Sequence, residues 1–130
     1  MIEHNANLFR WMHVTPWKQD VESCDRVGVI QMLPAGDAEK DVTGRRWEQR
    51  KELMRDVIIY MRNNPSILFY ESGNESISRE HMVEMIAIRD QYDPHGGRAI
   101  GSREMLDIRE AEYGGEMLYV NKSEHHPMIQ

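Results

Sequence analysis

The chain has 130 residues, of which 29% are charged and 40% hydrophobic, the balance of a folded domain rather than a disordered one. Its formal net charge is −6, with acids and bases interspersed and no Lys/Arg stripe, which argues against a nucleic-acid partner. No apolar run approaches the roughly 20 residues that cross a bilayer, the N-terminus has no signal-peptide pattern, and the lone Cys24 excludes an internal disulfide.

Residues 8–14 form an apolar, β-prone run that ends at Thr15-Pro16. Trp17, Val21, Cys24 and Val27 then recur at helical spacing, and Gly28 closes that helix. A second apolar run, 29–33, stops at Pro34-Ala35-Gly36. A polar loop leads into the longest helix, 45–63, whose inward stripe is Trp47, Leu53, Met54, Val57, Ile58 and Met61. Asn63-Asn64-Pro65 terminates it, and a short apolar strand follows from Ile67 through Tyr70 to Glu71. Ser78 is the expected N-cap of the next helix, with Met82, Val83, Ile86 and Tyr92 facing inward. Asp93 to Gly97 reads as a turn, 98–102 as a strand, 104–112 as a weaker helix, Gly114-Gly115 as a turn and 117–120 as a last strand.

Five strands alternating with helical crossovers imply a parallel sheet with right-handed connections. Two α/β architectures accommodate them, a doubly wound open sheet or part of a (β/α)8 TIM barrel, and periodicity alone does not choose. A complete barrel takes about 250 residues, so on that reading residues 1–130 make one partial domain of about half a barrel.

The residue that stands out chemically is Glu75, delivered by Ser72-Gly73-Asn74 just past the end of the third strand. In an α/β barrel, acids and bases sit at the C-terminal ends of strands. A Glu there can protonate a leaving group and later deprotonate water, and the Asn74 amide beside it can hydrogen-bond a substrate hydroxyl. For an isolated Glu, a solvated loop carboxylate would be the ordinary explanation.

Three segments carry a resemblance. Asn63-Asn64-Pro65-Ser66 leading into Gly73-Asn74-Glu75 is similar to the acid/base strand of glycoside hydrolase family 2, which includes β-galactosidases, β-glucuronidases and β-mannosidases. Asn7-Leu8-Phe9-Arg10-Trp11-Met12-His13 before Pro16 resembles an earlier barrel strand of that family, and Cys24-Asp25-Arg26-Val27-Gly28 resembles its Cys-Asp-x-x-Gly turn. The resemblance implies the barrel fold and retaining hydrolysis of a β-linked glycoside, β-galactosidase-like in type, with carbohydrate as the partner. It implies Glu75 as general acid/base, Asn74 as the ligand of the sugar 2-hydroxyl, Arg10 as an electrostatic brace for the carboxylates, and His13 either lining the sugar pocket or hydrogen-bonded in a structural role.

The departures are specific. Gln31-Met32-Leu33-Pro34-Ala35-Gly36 stands where the family commonly has an acidic residue near a divalent ion, so no metal and no cofactor are expected. Tyr70-Glu71-Ser72 replaces the usual Trp-Ser-Leu. Glu71 lies four residues from Glu75, about 13 Å of strand, too far for a catalytic pair, and is expected to meet Arg10 or Arg103 as a buried ion pair. The family's nucleophilic Glu falls on a later strand, after a segment like His126-Pro127-Met128. Glu110, Glu112, Glu116 and Glu124 end no apolar strand and are not nominated, and His125-His126 matches no zinc spacing.

These readings leave two hypotheses. One is a longer parent enzyme of which this chain alone is inactive; any export signal would lie outside the chain. The other is a truncated sugar-binding or assembly domain that self-associates through open sheet edges.

Overall fold

The computed structural model describes residues 6–35, 40–75, 77–103, 109–115 and 128–129. In chain order the elements are β1 (Leu8–Arg10), α1 (Lys18–Val27), β2 (Ile30–Pro34), α2 (Arg45–Met61), β3 (Ile67–Glu71), α3 (Arg79–Tyr92), β4 (Ala99–Gly101), β5 (Gly114–Gly115) and β6 (Met128–Ile129). The first four strands form one sheet in the order β1-β2-β3-β4, every pair parallel. β5 and β6 pair in parallel, and a parallel bridge from Ser102 to Gly114 joins that ladder to the end of β4. The described strands therefore follow one another in chain order. A doubly wound sheet reverses its order at a switch point, and no reversal occurs among them.

Local chemistry sets most boundaries. Gly28 takes the left-handed conformation (φ 74°) and donates its N–H to Cys24 O, closing α1. Ser78 caps α3 by accepting the His81 N–H. β1 is shorter than the 8–14 run expected. Trp11 N still reaches Met32 O at 3.3 Å, but His13 then adopts φ 64° and the chain leaves the ladder. The Gly114-Gly115 turn is likewise corrected: the pair is strand β5. Of the 104–112 helix, residues 104–108 lie outside the described set and Arg109-Glu110 form a turn. The 117–120 strand and His125-His126 also lie outside it.

The helices bury one face of the sheet. Leu33, Ile67, Tyr70 and Ile100 meet Val21 of α1, Trp47, Met54, Ile58 and Met61 of α2, and Met82 and Met85 of α3 in one cluster. Four residues expected in this stripe are exposed: Trp17, Val27, Leu53 and Val83. α1 has a single buried residue, Val21. On α3, Met82 and Met85 are three apart and share the inward face, which turns Val83 outward. Cys24 is half-buried rather than core, and burial followed by Asp25 and Asp20 pushes its thiol pKa up. The opposite face of the sheet carries Arg10, Met32, Phe69, Glu71 and Gly101, and there Tyr113 lies against Gly101. A Cβ on Gly101 would run into the Tyr113 carbonyl and come within 2.9 Å of its ring.

Candidate active site

Past the last residue of β3 the chain stays pinned on both sides. Ala35 N bonds Glu71 O at 2.8 Å, Ser72 N bonds Gly101 O at 2.9 Å, and Ser72 Oγ donates to that same carbonyl at 2.8 Å. Ser102 Oγ donates to Gly73 O. Asn74 and Glu75 are thus presented at the C-terminal end of a strand strapped to its neighbours, with Asn74 buried and the Glu75 side chain 31% exposed.

Arg10 organises the centre. Its Nε and Nη2 donate to Glu71 Oε1 at 2.9 and 2.5 Å, and Nη2 also donates to Asn74 Oδ1 at 2.7 Å. A guanidinium has no acceptor, so the Asn74 atom facing it must be the carbonyl oxygen. The amide's amino group therefore takes no part in the Arg10 contact. The Glu71 carboxylate is 3% exposed, and burial raises its pKa more than Arg10 and Arg103 lower it. Arg103 faces Glu75 instead, Nη1 to Oε1 at 3.6 Å. Tyr113 stands behind β3, its hydroxyl donating to Tyr70 O at 2.7 Å and its ring edge-on to Phe69. Burial, with Glu71 nearby, pushes that phenol well above its usual range.

No protein-family model matches the chain. Over 103 residues it is 33% identical to a β-glucuronidase of Formosa agariphila, covering 79% of this chain and 10% of that protein. The solved structure of a β-glucuronidase from glycoside hydrolase family 2 superposes with a TM-score of 0.78 at 30% identity, over 87% of this chain and 13% of the other. The chain belongs to glycoside hydrolase family 2, as a partial domain. A family 2 β-galacturonidase from Eisenbergiella tayi, solved with galacturonate, shares the fold with a TM-score of 0.73 at 21% identity, over 85% of this chain and 22% of its own. The chain thus spans about a tenth of the curated relative and between an eighth and a quarter of these solved structures.

The three family 2 segments come together as two separate assemblies. Asp25, from the Cys-Asp turn, accepts from Ser66 N at 3.0 Å, from Asn64 Nδ2 at 2.6 Å and from Ser66 Oγ. Lys18 adds a 2.5 Å bond to Asn64 Oδ1. This knot lies before β3, at the opposite end of the strand from Glu75, the end that carries stability in barrels. The second assembly is Arg10, Glu71 and Asn74, with Glu75 next in the chain and facing Arg103. His13 is half-buried with its left-handed backbone, and among the described residues no hydrogen bond joins it to that assembly. Gln31 takes a structural place, bridging Trp11 Nε1, Val21 O and Ser66 Oγ.

Sequence reasoning named Ser72 only as part of the segment that delivers Glu75, and it did not find Ser102 or Tyr113. Ser72 and Ser102 directly follow apolar strands, and that placement is the signal that marks them. Nor did it find Asp41 and His81, which no motif flags.

Proposed function

We propose that the chain is a segment of the catalytic barrel of a longer enzyme that hydrolyses a β-linked uronide with retention, and that Glu75 is its general acid/base. The observation that carries this reading is Asn74 fixed by Arg10 beside a part-exposed Glu75, just past β3 in a parallel sheet ordered as barrels are. Glu75 gives its proton to the glycosidic oxygen as the bond to the anomeric carbon breaks. A second carboxylate, outside the described residues and about 5 Å away, takes that carbon as an ester. Glu75 then removes a proton from the water that releases the sugar. The Asn74 amino group donates to the 2-hydroxyl, Arg10 braces the carboxylates, and His13 lines the pocket. The resemblance spans galactosidases and glucuronidases alike, and the names of the relatives favour a uronide.

The test is turnover of 4-nitrophenyl β-D-glucuronide by the full-length parent. Glu75→Gln should lower kcat by about 10²–10⁴-fold, the usual worth of a proton-transfer residue. NMR of the first-formed anomer should show retention, and the 130-residue chain alone should be inactive. A parent whose turnover survives Glu75→Gln would sink the assignment. The second reading, a non-catalytic sugar-binding or assembly domain, is favoured by β1 pairing only with β2 among the described residues. Coding sequence downstream of Gln130 that continues into a strand bearing a Glu decides for the enzyme.

A further inference from the structure

We propose that Asp41 and His81 are positioning residues that clamp the far end of the Glu75 loop to the loop entering α2. This inference rests on the reading of Glu75 as acid/base. The loop that leaves β3 is held at its start by Gly101, Ser102 and the Arg10–Asn74 bond, and beyond Glu75 it is fixed again by buried Ile77 and by Ser78 at the head of α3. Glu75 hangs between those two anchors.

The second anchor is built on one carboxylate. Asp41 Oδ2 accepts the Ser78 backbone N–H at 3.0 Å, while Oδ1 accepts Val42 N at 3.0 Å and His81 Nδ1 at 2.7 Å. An ionised carboxylate only accepts, so Nδ1 carries the proton in this contact. The imidazole is locked from its other side as well. It stacks on Trp47 with centroids 3.7 Å apart and planes 13° from parallel. Trp47 Nε1 is in turn bound to Glu84 at 3.1 Å, and Lys51 bridges Glu84 and Glu48.

Capping α3 does not require this arrangement. The Ser78 hydroxyl already takes the His81 N–H, and buried Ile77 already holds the chain to the core. Asp41 and His81 are 19% and 15% exposed, so their pairing is made at a desolvation cost. What the pair adds is a link across 40 residues between the loop entering α2 and the first turn of α3, beside the Asp41 bond to Ser78 N at the end of the loop that follows β3. It fixes the loop from which Glu75 must reach the glycosidic oxygen.

The experiment uses the full-length parent with Asp41→Asn, His81→Phe and His81→Asn. An amide at position 41 can accept on one side only, His81→Phe keeps the ring over Trp47 without the donor, and His81→Asn restores a donor near Nδ1. Hydrogen exchange of peptides covering 72–78 should speed up about tenfold in Asp41→Asn and His81→Phe, with β2 and α2 unchanged and His81→Asn close to wild type. With 4-nitrophenyl β-D-glucuronide, the first two variants should lose about 10- to 100-fold in kcat at nearly constant KM, since an ångström of misplacement costs about 10². Unchanged exchange in both overturns the clamp. Faster exchange with unchanged kcat overturns the positioning role. A parent without glycosidase activity overturns the reading beneath it, and the exchange data still decide the clamp.

Discussion

Arg10 and Glu71 face each other across unequal environments, and that inequality decides what each is worth. The Arg10 side chain is 26% exposed and can reach water, whereas the Glu71 carboxylate is 3% exposed and cannot. Removing the arginine strands a buried charge, which costs about 3–5 kcal/mol. Removing the glutamate with a side chain of similar volume removes that burial cost too, and such replacements are often close to neutral. Arg10→Ala should therefore destabilise far more than Glu71→Leu in urea denaturation. The reverse order would refute the account. Because burial raises the Glu71 pKa, the folded state holds that proton more tightly than the unfolded chain. Its contribution to stability consequently falls as pH rises from the ordinary glutamate range through the folded value. Glu71→Leu should flatten the stability profile there. This pair was legible in the sequence, because a carboxylate inside an apolar strand needs an arginine partner. Which arginine was not, since strand adjacency had to exist before Arg10 could be preferred over Arg103.

At the scale of elements, legibility followed punctuation. Gly28, Pro65 and Ser78 end or begin elements for backbone reasons that hold in any context, and α1, α2 and α3 fall close to where they point. The end of β1 was hidden, because a left-handed His13 has no signature in composition. β5 was hidden for the opposite reason: Gly-Gly reads as a turn, yet here it pairs as strand beside Ser102 and after the buried Tyr113. Asp41 and His81 escaped notice because polar residues 40 apart carry no periodicity. The knot of Asp25, Asn64 and Ser66, which ties the last turn of α1 to the entrance of β3, makes a prediction at this scale. Burial works against the Asp25 charge, but bonds from Ser66 and Asn64 and the nearby Lys18 outweigh it, leaving the pKa below the aspartate range. The unfolded chain then binds the proton more tightly, so the knot's contribution is complete above about pH 4 and is lost as pH falls through the folded value. Asp25→Asn should lower stability at neutral pH and shrink the loss on acidification below about pH 4. Chemical denaturation at a series of pH values measures both, and an acid limb as steep as wild type would exclude Asp25 as its source.

For the whole molecule, strand order is the decisive property. Parallel strands laid down in chain order curl into a barrel only when the last returns to the first, and β1 pairs on one side alone among the described residues. An unpaired parallel edge is a template for another strand. None of α1, α2 and α3 covers the sheet face away from their cluster, where Met32 and Glu71 are buried and Phe69 is half-exposed. A self-contained open sheet would instead cover both faces with helices, as parallel sheets do. The 130-residue chain by itself should therefore associate, forming dimers or larger species in light scattering at micromolar concentration. Placing lysine at Phe9, on the open strand, should shift that equilibrium toward monomer, because an edge charge disfavours strand addition. The far-UV spectrum of that variant should stay unchanged, since β1 is a short edge strand and the helical core does not depend on it. A stable, soluble wild-type monomer would count against the barrel-segment reading and for a self-contained open-sheet domain. Association insensitive to the Phe9 charge would move the contact from the β1 edge to the sheet face.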